Sequence, residues 1–204
     1  MKLYIVRHGE TVWNRHHKVQ GVADIPLAEN GILLAEKTGE ALKNVSFDLC
    51  ITSPLVRARK TAELILAKQA HKVPVKEDIR IREINFGVLE GVVCMNDARE
   101  YLDPQMKKFF TDPWNFDRPK DGESIRDVLA RTKEFWEELI HNPKLQDKTI
   151  LIASHGCAVR ALLHNVYKDH EDFWHGFVPP NCSANVVEVT DGQAVLLEDD
   201  KVYA

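Results

Sequence analysis

The chain has 204 residues, 44% hydrophobic and 28% charged, and 27 Lys and Arg against 31 Asp and Glu give a formal net charge of −4. That balance is the one of a globular protein and excludes an intrinsically disordered chain. A net-acidic sequence without a basic block excludes a nucleic-acid binder, and no apolar run approaches the roughly 20 residues of a membrane span. A chain of this length is expected to form one domain, residues 1–204, that buries roughly 70% of its unfolded surface.

Leu3-Tyr4-Ile5-Val6 is a continuous apolar run of the kind found in a strand buried on both faces. It is too short for the apolar core of an export signal, so a cytoplasmic location is expected. Next comes a helix with Ile32, Leu33, Ala35 and Leu42 on its apolar face. Phe47 to Thr52 is a second strand, and it ends at Ser53-Pro54, which reads as an N-cap followed by proline at the first helical position. The helix behind it carries Leu55, Ala58, Ala62, Ile65 and Leu66. Between residues 92 and 123 the periodicity fails, and Tyr101, Phe109, Phe110, Trp114 and Phe116 are interleaved with prolines. This segment reads as a cap or lid insertion. Ser124 to His141 is the clearest amphipathic helix, with Val128, Phe135, Trp136 and Leu139 on one face. Thr149 to Ala153 is a third buried strand, followed by Ser154-His155-Gly156 and a helix through Val159, Leu162, Leu163 and Val166. Ala184 to Thr190 and Gln193 to Glu198 flank Asp191-Gly192, a hairpin signal. The pattern predicts a three-layer αβα sandwich with a mostly parallel central sheet and an antiparallel edge, ligands lying beyond the carboxyl ends of the strands.

The three apolar strands end in chemically capable residues: Arg7-His8-Gly9, then Ser53-Pro54 with Arg57 one helical turn on, then Ser154-His155-Gly156. In a parallel sheet these ends share one edge, which brings two imidazoles and two guanidiniums into one crevice. Guanidinium suits bidentate binding of phosphate oxygens, and a neutral imidazole near pH 7 can attack phosphorus. Ser154 is not a nucleophile elbow, because Ile152 occupies the first glycine position of G-x-S-x-G. Cys50, Cys94, Cys157 and Cys182 form no C-x-x-C, so free thiols are expected and a structural zinc is not.

Taken together and in order, Arg7-His8-Gly9-Glu10-Thr11, Trp13-Asn14, Gln20-Gly21, Asp24-x-Pro26-Leu27, Ser53-Pro54-Leu55-x-Arg57-Ala58, Glu83-x-x-Phe86-Gly87, Glu90-Gly91, Gly122-Glu123-Ser124 and Ser154-His155-Gly156 resemble the histidine phosphatase superfamily, the phosphoglycerate-mutase-like group. The resemblance implies phosphoryl transfer through a phosphohistidine. His8 resembles the nucleophile, and Arg7, Arg57 and His155 the clamp on the non-bridging oxygens. Asn14, Gln20, Gly21 and Gly156 resemble substrate-binding positions, and Glu83 the proton donor to the leaving oxygen, which implies a raised pKa for its carboxyl. The arginines supply the positive charge, so no metal and no cofactor is implied. The net charge of −4 does not oppose such a site, because Arg7, Arg57 and a protonated His155 can make one positive pocket on an acidic surface.

The chain departs from the family pattern at Leu89, where Trp is usual, at Ala28, where a capping Thr is common, and at His17, where glycine is frequent. His16 and His17 read as solvated loop residues, with a contact at the rim of the site as the alternative. Mutases of this family are typically longer and carry extra basic residues for a second anion. The short chain and the aromatic character of residues 92–123 therefore favour a phosphatase acting on a small phosphorylated metabolite, with phosphoglycerate mutase as the alternative. Trp114, Phe116 or a neighbour would meet the non-phosphate part, unless these rings form the core of the cap. Cys157, beside His155, reads as a buried structural thiol, with a redox-sensitive site as the alternative. Neither nucleic acid nor membrane is expected as a partner, and nothing opposes a homodimer.

Overall fold

The computed structural model describes residues 1–203. In chain order the elements are β1 (Lys2–Arg7), α1 (Val12–Arg15), α2 (Glu29–Ala41), β2 (Leu49–Thr52), α3 (Val56–Leu66), β3 (Val75–Glu77), α4 (Pro104–Thr111), α5 (Ile125–Ile140), β4 (Thr149–Ser154), α6 (Gly156–Leu163), β5 (Ala184–Thr190) and β6 (Gln193–Lys201). The six strands form one sheet in the order β3-β2-β4-β1-β5-β6. The first four are parallel, and β5 and β6 add the expected antiparallel edge. Asp191 and Gly192 both have positive φ, 51° and 75°, the requirement of a two-residue turn between twisted strands.

Register decides where the chemistry lies. Arg7 is level with Ser154 across β1 and β4, and Thr52 is level with Ala153 across β2 and β4. The residues that follow, His8, Ser53 and His155, therefore leave the sheet side by side. Beneath them Leu3, Ile5, Ile51, Ile150 and Ile152 pack against Phe135, Trp136 and Leu139 of α5 and Val159 and Leu162 of α6. The other face, with Tyr4, Val6, Cys50, Leu151 and Ala153, packs against Ala62 and Ile65 of α3 and against Leu42. Burial on both faces is why these strands show no polar alternation.

The local structure differs from the sequence expectation at several points. The helix after β2 starts at Val56, not at Pro54, and Leu55 caps it without a side-chain bond. Ser53 Oγ accepts the Leu55 N–H at 3.3 Å and also bonds His155, and the first free N–H of α3, that of Val56, donates to Asp24 Oδ1 at 2.7 Å. Leu33 is 51% exposed. The buried face of α2 is Gly31, Ala35, Thr38 and Gly39, small residues that let α2 approach α3 closely. The Ala28 cap of α2 makes no side-chain hydrogen bond. By contrast Ser124 caps α5 in a reciprocal box with Asp127.

Residues 92–123 contain α4, capped by Asp103 with Pro104 at its start. Met95, Met106, Phe109 and Phe116 pack with Phe86, Phe173 and Trp174 into a separate small core above the sheet edge. Among the described residues no helix is long and apolar enough to cross a membrane.

Candidate active site

His8 leaves β1 with its backbone N–H on the Ser154 carbonyl, 3.0 Å away. Its Nδ1 lies 2.7 Å from the Gly9 carbonyl and so carries the hydrogen, which leaves the Nε2 lone pair free. Among the described residues Nε2 has no hydrogen-bond partner. Burial, then the charges of Arg57 and Arg7, hold the His8 pKa well below its ordinary value. The ring is neutral at pH 7, as a nucleophile must be.

Arg57 is wholly buried, with Nη2 donating to the Gly21 carbonyl at 2.6 Å and Nη1 to that of Ala23 at 2.9 Å. Burial lowers its pKa to about 10, opposed by Glu83 and Glu90, so it stays charged. The loop that holds it is itself held by Glu90, whose carboxylate accepts the N–H groups of Gly21, Val22, Ala23 and Phe86. Arg7 Nη1 donates to the Pro179 carbonyl. Arg7 Nε, Arg57 Nε, Gln20 Nε2 and His155 Nδ1 are buried and have no protein partner. Unpaired buried donors are costly, and an anion at this point would satisfy them.

The His155 ring centroid is 5.1 Å from that of His8, and His155 Nε2 is 2.8 Å from Ser53 Oγ. Burial, then Arg57, lowers its pKa well below the ordinary value. His155 therefore adds no charge to the empty pocket, a correction to the expectation of a protonated ring. Two neighbouring arginines and no carboxylate bonded to the ring are the reason.

Glu83 is 7% exposed. Oε1 accepts from Ile84 N and Ala158 N, and Oε2 from Cys157 N at 3.1 Å. Two of those donors are free N–H groups of the first turn of α6, which favour the anion, as do Arg57 and Arg7. Burial outweighs them and raises the pKa. Oε2, with a single donor, keeps room for a proton. Gly156 sits between the charged groups: a Cβ there would lie 3.6 Å from both Arg7 Nε and Glu83 Oε2, and 2.6 Å from Val178 Cγ1.

A cleft of about 730 Å³ opens beside these groups, lined among others by Arg7, Asn14, Gln20, Glu83 and Asn181, with His8, Arg57, His155 and Gly156 set behind its lining. Asn14 Oδ1 accepts the Thr11 N–H, and Thr11 Oγ1 donates to Gln20 Oε1 at 2.6 Å. Gly21 differs from the expectation. It faces the Ile84 carbonyl, which a Cβ would meet at 2.1 Å, and it supports Arg57 without lining the cleft. Asn181, unmarked by any sequence signal, donates to the His8 carbonyl at 3.0 Å. Trp114 and Phe116 belong to the cap core, and the neighbouring Phe109 and Phe110 reach the cleft instead. His16 is exposed, whereas His17 lines the cleft with φ of 48°, the conformation for which glycine is the usual residue. The Cys157 thiol is 2% exposed, and burial raises its pKa well above the ordinary value. It is an inert thiol, which removes the redox alternative. Among the described residues no group of three His, Cys, Asp or Glu side chains is placed to hold a metal ion.

The chain and its fold resemble known proteins. The 2,3-bisphosphoglycerate-dependent phosphoglycerate mutase of Zymomonas mobilis is 32% identical over 212 aligned positions, covering 93% of each chain. The structure of Bacillus stearothermophilus YhfR superposes with a TM-score of 0.86 at 29% identity, covering 98% of this chain and 97% of the other. A phosphoserine phosphatase from Entamoeba histolytica, solved with phosphoserine, superposes with a TM-score of 0.78 at 29% identity, covering 98% and 97%. The profile of the histidine phosphatase superfamily (branch 1) matches residues 3–199, and the chain belongs to that family.

Proposed function

We propose that the protein is a metal-independent phosphatase that hydrolyses phosphomonoesters through a phosphohistidine on His8. The observation that carries this reading is the unpartnered His8 Nε2, fixed by the Gly9 carbonyl beside the buried Arg57 and the half-buried Arg7, whose Nε donors are buried and free. In the first step Nε2 attacks phosphorus as the ester P–O bond breaks, and the proton of Glu83 Oε2 goes to the leaving oxygen. Arg7, Arg57 and His155 Nδ1 hold the non-bridging oxygens, where charge must be stabilised. The Gly9 carbonyl keeps the Nδ1 hydrogen of the phosphorylated ring. In the second step the Glu83 carboxylate takes a proton from water, the oxygen bonds to phosphorus and the P–N bond breaks to release phosphate.

The mutase reading rests on the names of relatives such as the Zymomonas enzyme. Its alignment runs to 212 positions although it draws on only 93% of 204 residues, so that mutase carries residues this chain lacks. The Entamoeba phosphatase aligns with 98% of one chain and 97% of the other. A phosphoglycerate mutase structure from Bacillus anthracis also covers 100% of this chain and is itself covered to 94%, so the product formed, not length, separates the two readings. A phosphomonoester panel in the presence of a chelator should give free phosphate, and His8→Ala should abolish turnover. With 3-phosphoglycerate, formation of 2-phosphoglycerate in place of free phosphate would establish the mutase instead.

A further inference from the structure

The cleft is larger than a three-carbon phosphate ester requires and has two chemically distinct sides. Its volume of about 730 Å³ is that of sites enclosing much bigger ligands. One side is apolar, lined by Met95, Met106, Phe109, Phe110, Trp174 and Phe177. Phe110 is stacked between Tyr101, 5.8 Å away at 23°, and Phe177, 5.4 Å away at 22°. Phe177 ends this stack at the lip with 43% of its surface exposed.

The rim also carries positive charge. Lys18 and Arg99 line the cleft, and among the described residues neither is paired with a carboxylate, whereas Arg15 is spent on Glu10 at 2.8 Å. The two lie on one small ladder. Lys18 bridges to Val93 and Met95 bridges to Tyr101, and Arg99 sits in the loop between the last two. That loop is pinned by Arg99 N on the Asn96 carbonyl and by Asn96 N on that of Glu100. Its own acids do not line the cleft, and Glu100 is engaged by the Asn96 side chain. Arg7 and Arg57 already serve the transferred phosphate, so the charge of Lys18 and Arg99 is available to a second anionic group.

We propose, building on the phosphatase reading, that the preferred substrates are phosphomonoesters of a planar apolar alcohol that bears a second anion such as a carboxylate. The phosphate lies on the floor, the ring lies on the Phe110 and Phe177 side, and the second anion meets Lys18 and Arg99.

The test compares 4-carboxyphenyl phosphate and phenyl phosphate as substrates of the parent, Lys18→Gln/Arg99→Gln, Phe110→Ala/Phe177→Ala and His8→Ala. Calorimetry with 4-carboxyphenylphosphonate and phenylphosphonate gives affinity independently of turnover. In the parent the carboxylate should raise kcat/KM and phosphonate affinity about fivefold, and the ring should raise the affinity of phenylphosphonate over that of propylphosphonate, measured in the same way, about tenfold. The first ratio should fall to about one in Lys18→Gln/Arg99→Gln, and the second in Phe110→Ala/Phe177→Ala. The absence of either preference, or its survival in the matching variant, would overturn the proposal. Phosphonate preference without turnover of any ester, or turnover undiminished in His8→Ala, would overturn the phosphatase reading and leave the ligand class standing.

Discussion

Glu83 shows how one side chain is set by opposing local forces. Three backbone N–H groups and two arginines favour its anion, and near-complete burial favours the acid. Burial prevails, so the carboxyl holds a proton at pH values where an exposed glutamate has lost it. The role as acid makes a prediction that depends on the leaving group. Glu83→Gln should lower kcat about 10²–10⁴-fold for alkyl phosphates, but much less for 4-nitrophenyl phosphate, whose phenolate departs without a proton. The ratio of the two losses is the readout, because any distortion from placing an amide against the Cys157 N–H affects both substrates. Equal losses would mean that Glu83 acts by position alone. The parent should lose kcat/KM as pH rises through the raised Glu83 pKa, since only the protonated form can donate. His8 and Arg7 were legible from the sequence because their chemistry is local. The raised pKa of Glu83 was expected from its role as donor, but its physical cause was not legible, because the burial that raises it and the N–H groups at the start of α6 that oppose it are set by the fold.

The element that holds Arg57 is a loop without regular structure, and Glu90 gives that loop its shape. One carboxylate accepts four N–H groups, three of them from residues 21–23, whose carbonyls in turn hold the guanidinium. Glu90→Ala would strand those donors, and a hydrogen bond to a charged group is worth about 1.5–3 kcal/mol. Unfolding in urea should show a loss of at least about 3 kcal/mol, the value of one such bond, with water solvating the donors that become exposed. KM should rise more than kcat falls, because Arg57 would remain charged but mobile. An unchanged KM in a destabilised variant would separate the loop from the site. At this scale the sequence was readable wherever burial is continuous or periodic, as in β1, β2, β4 and α5. It was not readable where tertiary partners decide: Ser53 bonds His155 as well as the Leu55 N–H ahead of a helix that starts only at Val56, and Leu33 yielded the buried face of α2 to glycine and alanine. The segment 164–183 offered no period to read, yet it supplies Trp174, Phe177 and Asn181 to the cleft.

For the whole molecule, the net charge of −4 says little about a site whose own balance is positive, and the consequence of that local balance appears in stability. His8 and His155 are buried, neutral and surrounded by arginine charge, with pKa values well below 6.5 in the folded chain. An unfolded chain binds protons at both as pH falls through about 6.5, and the native chain does not until the pH is much lower. Protons therefore favour unfolding over that window, by up to about 1.4 kcal/mol per pH unit for each histidine. His164, lowered by burial and by His170 and His175, acts in the same direction. Glu83 acts in the opposite direction: its folded pKa lies above the unfolded 4.5, so its stabilising protonation is complete below 4.5 and lost as pH rises through the folded value. Three histidines act against the one glutamate, so stability should fall from pH 7 to pH 5.5 in phosphate-free buffer. Urea midpoints should fall less steeply for His155→Asn than for the parent, and less steeply again when His8→Asn is added. Parallel slopes for all three proteins would show that the acid sensitivity arises outside the site. Phosphate should lessen the slope, because an anion between Arg7 and Arg57 offsets the charge that keeps both rings neutral and lets the native state take up protons.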